Sequence, residues 1–192
     1  MFIFDIETLG KDSSSVILSM ACIHFDPKDR PSYSDLVQSA FFVKLDVEDQ
    51  IKRLKRTTMK STMIWWSKQC ENARNKSFRP STIDVAAEDS IEQLREYSKK
   101  FEDPKKTLVW ARGNLDQLVL DSLEEQLEVP EVFHFSKWRD VRTALDFISS
   151  DTSGYPKVNY EGFNINMVTK HDPVHDCAFD AMMLMYSSED QT

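Results

Sequence analysis

The stretch FDIETLG, residues Phe4 to Gly10, places Asp5 and Glu7 two positions apart, directly behind the apolar start MFIF. In an extended strand residues i and i+2 share a face, so both carboxylates project side by side and repel. A shared proton or a bound cation offsets such repulsion. Two later stretches offer groups for the same chemistry. Asp116, in WARGNLDQLVLDSL (110–123), follows a short apolar run and a glycine at the head of a helical pattern. HDPVHDCAFDAMML (171–184) contains His-x4-Asp twice, as His171 with Asp176 and as His175 with Asp180. Histidine titrates near neutrality and can take a proton from water. Taken singly, each acid has a plainer explanation: Asp116 suits the positive end of a helix, and Asp180 suits a solvent-facing helical position.

The elements that must position these groups follow from periodicity. MFIFDI (1–6), SVILSMACIHF (15–25) and AFFVKL (40–45) read as strands, the first two joined antiparallel through the turn-like LGKDSS. Helical patterns cover 61–70, 84–101, 114–127, 139–149 and 177–187, with the short strand TLVWA (107–111) between the second and third. In 84–101, Val85, Ile91, Leu94 and Phe101 leave a polar opposite face, as an amphipathic helix should. Hairpin strands followed by helix–strand alternation predict an α/β domain with a mixed sheet.

With 192 residues, 41% hydrophobic and 29% charged, the chain reads as one globular domain over 1–192. Cys22, Cys70 and Cys177 are scattered and form no CxxC pair, which predicts free thiols in a reducing compartment. The longest apolar-leaning uncharged stretch, 13–25, is too short and polar for a membrane span, and no signal peptide is evident. A cytoplasmic protein is expected. The net charge of −8 argues against a nonspecific nucleic-acid coat protein but suits an enzyme whose acidic site holds cations.

D-x-E on a first strand, D at the start of a middle helix and H-x4-D on a last helix together resemble the histidine-containing branch of the DEDD superfamily of 3′-5′ exonucleases. STMIWWSKQCENAR, WARG, WRDVRT and HDPVHDCAFD extend the resemblance over nearly the whole chain. They are similar to the phage exonuclease A group and its bacterial exoribonuclease relatives. The resemblance implies a ribonuclease H-like fold with helices on both faces of the sheet. It implies hydrolysis of single-stranded nucleic acid, DNA favoured and short RNA the alternative, from a free 3′ end to 5′-mononucleotides. A phage-encoded protein of this kind would work in the host cytoplasm.

Such enzymes use two Mg²⁺ ions, with Mn²⁺ as the substitute, held by carboxylate oxygens. By resemblance Asp5 bridges both ions, Glu7 and Asp180 complete the site for the ion that binds the attacking water, and Asp116 supports the second. His175 is then the general base. This register is preferred to His171 with Asp176 because HDCAFDA resembles the family motif. Asp176 also falls at an expected helix cap, and Pro173 is expected to break any regular approach from His171.

Thr8 and Leu9 resemble positions that hold the terminal nucleotide; a strand end with a buried leucine is the competing reading. Leu115 departs from the pattern, since many relatives carry an aromatic residue there. IKRLKRTTMK (51–60) could follow a phosphate backbone or form a solvated face. Trp65 and Trp66 diverge by about 100° on a helix, so at most one could stack on a base. Arg139, Asp140 and Arg142 fit either a brace for the histidine loop or a surface ion-pair cluster. FDIET also resembles the D-x-D-x-T motif of haloacid dehalogenase-like phosphatases, but the second acid is Glu and no matching downstream lysine motif follows. An HD-type phosphohydrolase would need more than four histidines and a mostly helical domain. A noncatalytic nucleic-acid-binding module would not require all four acids and the histidine.

Overall fold

The computed structural model describes residues 1–149 and 151–187; residues 188–192, the end of the expected domain, lie outside the described residues. The amino-terminal half runs β1 (Phe2–Thr8), β2 (Ile17–His24), α1 (Tyr33–Ser39), β3 (Phe41–Lys44), α2 (Val47–Lys52), α3 (Lys60–Ser67), α4 (Glu71–Ala73) and α5 (Ala87–Lys99). The remainder runs β4 (Val109–Ala111), α6 (Leu115–Gln126), β5 (Trp138–Asp140), α7 (Val141–Ser149) and α8 (Pro173–Tyr186). The sheet order is β3-β2-β1-β4-β5. β2 is antiparallel to β1 and to β3, whereas β4 is parallel to β1 and to β5. This is the mixed α/β sheet expected, with β1 at its centre.

Alternation along β1 divides the protein into two cores. Phe2, Phe4 and Ile6 bury themselves with Ile91 and Leu94 of α5 and Leu120 of α6. Ile3 faces the other way, into a core built with Val174, Cys177, Ala178 and Ala181 of α8. Small residues on α8 let that helix lie close on the sheet. Asp5 and Glu7 have the parity of Ile3, so the acids of β1 emerge on the face that α8 covers. A third core gathers Leu9, Val16, Leu18 and Trp66 beyond the end of β1.

Three differences separate the structure from the sequence reading. α1 and α2 are too short for helical periodicity to declare itself, although Ser32 and Asp46 cap them as N-cap residues do. Residues 139–140, read as the head of a helix over 139–149, belong instead to strand β5, and α7 begins only at Val141. The third difference concerns the site. α8 begins at Pro173, four residues before the expected start, with Pro in its first turn and the Asp172 side chain accepting from the Val174 N–H. Pro173 therefore opens the helix instead of interrupting it, because the first-turn N–H that proline lacks has no intrahelical partner anyway. Among the described residues no helix is long and apolar enough to cross a membrane.

Candidate active site

Five acids converge where the carboxyl ends of β1 and β4 meet α6 and α8. Asp5 and Glu7 come from β1, Asp116 from the first turn of α6, and Asp176 and Asp180 from successive turns of one face of α8. All five line one cavity of about 990 Å³. One Asp5 oxygen, Oδ2, is sealed from solvent and has no hydrogen-bond partner. Burial, followed by repulsion from Asp116 and Glu7, raises the Asp5 carboxyl well above the ordinary range. Glu7 is raised for the same reasons, with Asp176 its strongest acidic neighbour. Asp116 is pushed up to about 7 by burial, with the Ile6 backbone N–H acting in the opposite direction. Asp176 also rises to about 7, through burial and the nearby Asp180. A buried acidic cluster with an unpaired oxygen is costly unless protons or cations occupy it. Its donors are the hard carboxylate oxygens that Mg²⁺ and Mn²⁺ accept, so the residues fit divalent cations.

The two His-x4-Asp registers lie in different places. His171 lines the cavity, and its ring nitrogen, a Glu7 oxygen and an Asp176 oxygen all lie within 4.8 Å of one another. Its backbone N–H donates to Asp176 Oδ2 at 2.9 Å. Its φ of 63° is left-handed, a turn that takes the chain from the preceding loop into α8. The Trp65 ring meets the imidazole edge-on, with centroids 4.6 Å apart. His175 lies on another side of α8 and does not line the cavity. Its Nδ1 is 2.7 Å from the Tyr33 hydroxyl on α1 and 3.3 Å from the Thr169 N–H, which donates to it. The preference for His175 over His171 therefore does not match the geometry. The reason is the start of α8: one extra turn at its head takes His175 into the helix and leaves His171 on the loop facing β1. Asp176, expected at the cap, lies inside the helix, and the cap is Asp172.

Asp180 lies in the cavity, as expected, but is already paired. Arg112, the residue after β4, sets Nε at 3.1 Å from both Asp180 oxygens and adds a further bond from Nη2. Burial raises the Asp180 carboxyl, and the guanidinium opposes that rise. Nothing in residue type or periodicity singled out Arg112; the available signal was a charged residue directly after a buried strand, at the end of the sheet where the acids collect.

The expected substrate residues divide. Thr8 is buried and its hydroxyl donates to the Gly10 carbonyl, while Leu9 packs in the third core. Neither lines the cavity, which matches the strand-end reading. Trp66 is fully buried and donates from Nε1 to the Thr8 carbonyl at 3.0 Å, whereas Trp65 is exposed. In the 51–60 segment Arg53 pairs with Asp49 and Glu88, and Arg56 is buried, donating to the Ser13 and Ser15 carbonyls. Both arginines are thus committed within the fold. Asp140 neither braces the histidine loop nor joins a surface ion pair; it accepts from the Gly113 N–H at 2.6 Å and caps α7 through Thr143. Arg142 lines the cavity, as does Leu115.

Two comparisons agree with this geometry. Residues 1–187 match a family described as the 3′-5′ exoribonuclease Rv2179c-like domain. The chain is also 30% identical over 207 residues to an exodeoxyribonuclease of Enterobacteria phage T4, covering 97% of this chain and 88% of that protein. With the acids of β1, α6 and α8 gathered on a mixed sheet, this chain belongs to the Rv2179c-like 3′-5′ exoribonuclease domain family and is a 3′-5′ exonuclease of the DEDD type.

Proposed function

We propose that this exonuclease removes 5′-mononucleotides from the free 3′ end of single-stranded nucleic acid, DNA in preference, using His171 as general base. The carrying observation is the convergence of Glu7, His171 and Asp176 beside the unpaired oxygen of Asp5. Asp5, Glu7, Asp116 and Asp176 would hold two Mg²⁺ ions, with Mn²⁺ as substitute. Bound there, such ions neutralise charge growing on the phosphoryl oxygens and acidify water.

The chain's own residues supply the rest. His171 takes the proton of the attacking water on a ring nitrogen. Burial, aided by Lys170, lowers its pKa from the ordinary 6.5, so the imidazole is neutral and has a free lone pair at pH 7. Asp176 fixes the His171 backbone, and Trp65 limits the tilt of its ring. Arg142 and Lys170 bring positive charge to the cavity wall, where a phosphate backbone would enter. Leu115, Phe163 and Val168 give that wall an apolar part against which a base or sugar can pack.

Preference for DNA draws on the similarity to the phage T4 exodeoxyribonuclease. The exoribonuclease description of the family makes short RNA the second reading. Incubation with 5′-labelled single-stranded DNA and RNA of one sequence, with Mg²⁺ or Mn²⁺, tests polarity and sugar preference together. Stepwise shortening of the labelled strand, faster for DNA, is the expected result. Faster RNA loss would reverse the preference, and equal cutting of circular and linear strands would contradict the need for a 3′ end.

A further inference from the structure

Among the described residues, Asp180 is the only acid of the cavity in a salt bridge. Its partner, Arg112, is held on three sides. Asp180 takes the Nε and Nη2 edge, Nη1 donates to the Gly154 carbonyl at 2.9 Å, and Cζ lies 4.4 Å over the Tyr155 ring. Gly154 has a φ of +75°, a left-handed turn that a side chain would strain. Tyr155, Pro156, Lys157 and Val158 form part of the cavity wall. Among the described residues, no other hydrogen bond joins 152–158 to another element; the remaining ones there are local, such as Tyr155 N–H to Ser153 Oγ. Apart from Val158, which packs against the core under α8, the attachment of this cavity wall rests on one guanidinium, and that guanidinium is oriented by Asp180.

We propose that Asp180 is a positioning residue and not a cation ligand: it orients Arg112, which holds the 152–158 segment as the wall against which the 3′-terminal nucleotides lie. The charge balance is consistent with this. A cation at Asp180 would have to displace or repel a guanidinium already making a two-pronged bond, whereas Asp5, Glu7, Asp116 and Asp176 have no such partner. Arg112 provides a planar fork for Asp180, a donor for the Gly154 carbonyl and a face for Tyr155, a combination lysine could not supply. The inference rests on the nuclease reading only in taking the cavity as the substrate site.

The test compares Asp180→Asn, Arg112→Gln and Tyr155→Leu in the full chain. Hydrogen exchange of the metal-free protein reads the wall directly. Asp180→Asn and Arg112→Gln should each speed exchange in 152–158 by about fivefold or more while leaving β1 unchanged. On single-stranded DNA both should raise KM about tenfold with kcat within roughly threefold. Calorimetric Mg²⁺ titration should give dissociation constants within about twofold of the parent. Tyr155 is exposed, so Tyr155→Leu leaves the fold intact and should raise KM with Mg²⁺ binding unchanged. Unchanged exchange in both buried variants, an unchanged KM in Tyr155→Leu, or tenfold weaker Mg²⁺ binding in Asp180→Asn alone would each overturn the assignment. A parent protein without nuclease activity would count against the functional reading, while the exchange comparison still judges the relay.

Discussion

The His171 backbone N–H donates to Asp176 Oδ2 at 2.9 Å, and this bond sets one His-x4-Asp pair against the acids of β1. It spans the turn into α8, tying the first helical turn to the loop that carries the imidazole. Asp176→Asn therefore removes a charge from the cation site and weakens the anchor of the base. Both losses act on the chemical step, so kcat should fall by about 10²-fold or more. Retention of more than about a tenth of parent kcat at saturating Mg²⁺ would count against this role.

Asp5→Asn should be still more damaging to turnover, since Asp5 is buried against the other four acids, Asp116 and Glu7 repelling it most and Asp176 and Asp180 less. Volume is nearly conserved, so the fold should survive. Relief of repulsion should raise the metal-free melting temperature at pH 8, by roughly 2–4 °C for each kcal/mol gained. Thermal melts in EDTA check this. A lower melting temperature for the variant would mean the carboxylate is stabilising without metal.

The acidic cluster also fixes a pH dependence for the metal-free protein. Asp116 and Asp176 rise from 3.8 to about 7, and Asp5 and Glu7 are raised well above their ordinary values. Each group binds its proton more tightly folded than unfolded, so folding is favoured while the acids are protonated and penalised as pH climbs through the folded values. Metal-free protein should therefore lose stability as pH climbs from about 4 through about 7, where Asp116 and Asp176 ionise. Added Mg²⁺ should restore the loss at pH 8. Melts at pH 5 and pH 8, with and without Mg²⁺, decide it; equal Mg²⁺ stabilisation at both would contradict the cluster.

His175 has a different task. Between the Tyr33 hydroxyl and the Thr169 N–H, it holds the loop that leads to His171. Tyr33→Phe removes one of those partners and should slow turnover only about three- to tenfold, without changing the shape of the pH–rate profile. A shifted acid limb in Tyr33→Phe would mean that His175 takes part in proton transfer.

Much of this arrangement was legible because β1 obeys simple alternation: apolar residues at 2, 4 and 6 face one core, and the acids at 5 and 7 share the opposite face. Asp116 was legible through its place at the head of α6. The choice of histidine was not, since it depended on where α8 begins. Pro173 was read as an interruption, yet a proline after an Asp cap is also a helix start signal, and the four-residue difference equals the offset between the two registers. Arg112 was invisible for another reason: its partners Asp180 and Gly154 are 68 and 42 residues away, and no local pattern encodes such a contact.

The most direct test of the account is the single-turnover pH–rate profile of His171→Ala beside that of His175→Ala, at saturating Mg²⁺ on 5′-labelled single-stranded DNA. Single-turnover conditions isolate chemistry from product release. His171→Ala should lower the maximal rate by about 10²-fold or more and flatten the acid limb that a neutral imidazole imposes near or below pH 6.5. His175→Ala should keep that limb and lose roughly tenfold at most, through a looser loop. A His171→Ala enzyme with near-parent rate and an intact acid limb, beside a His175→Ala enzyme that has lost both, would contradict the assignment of His171 and Asp176.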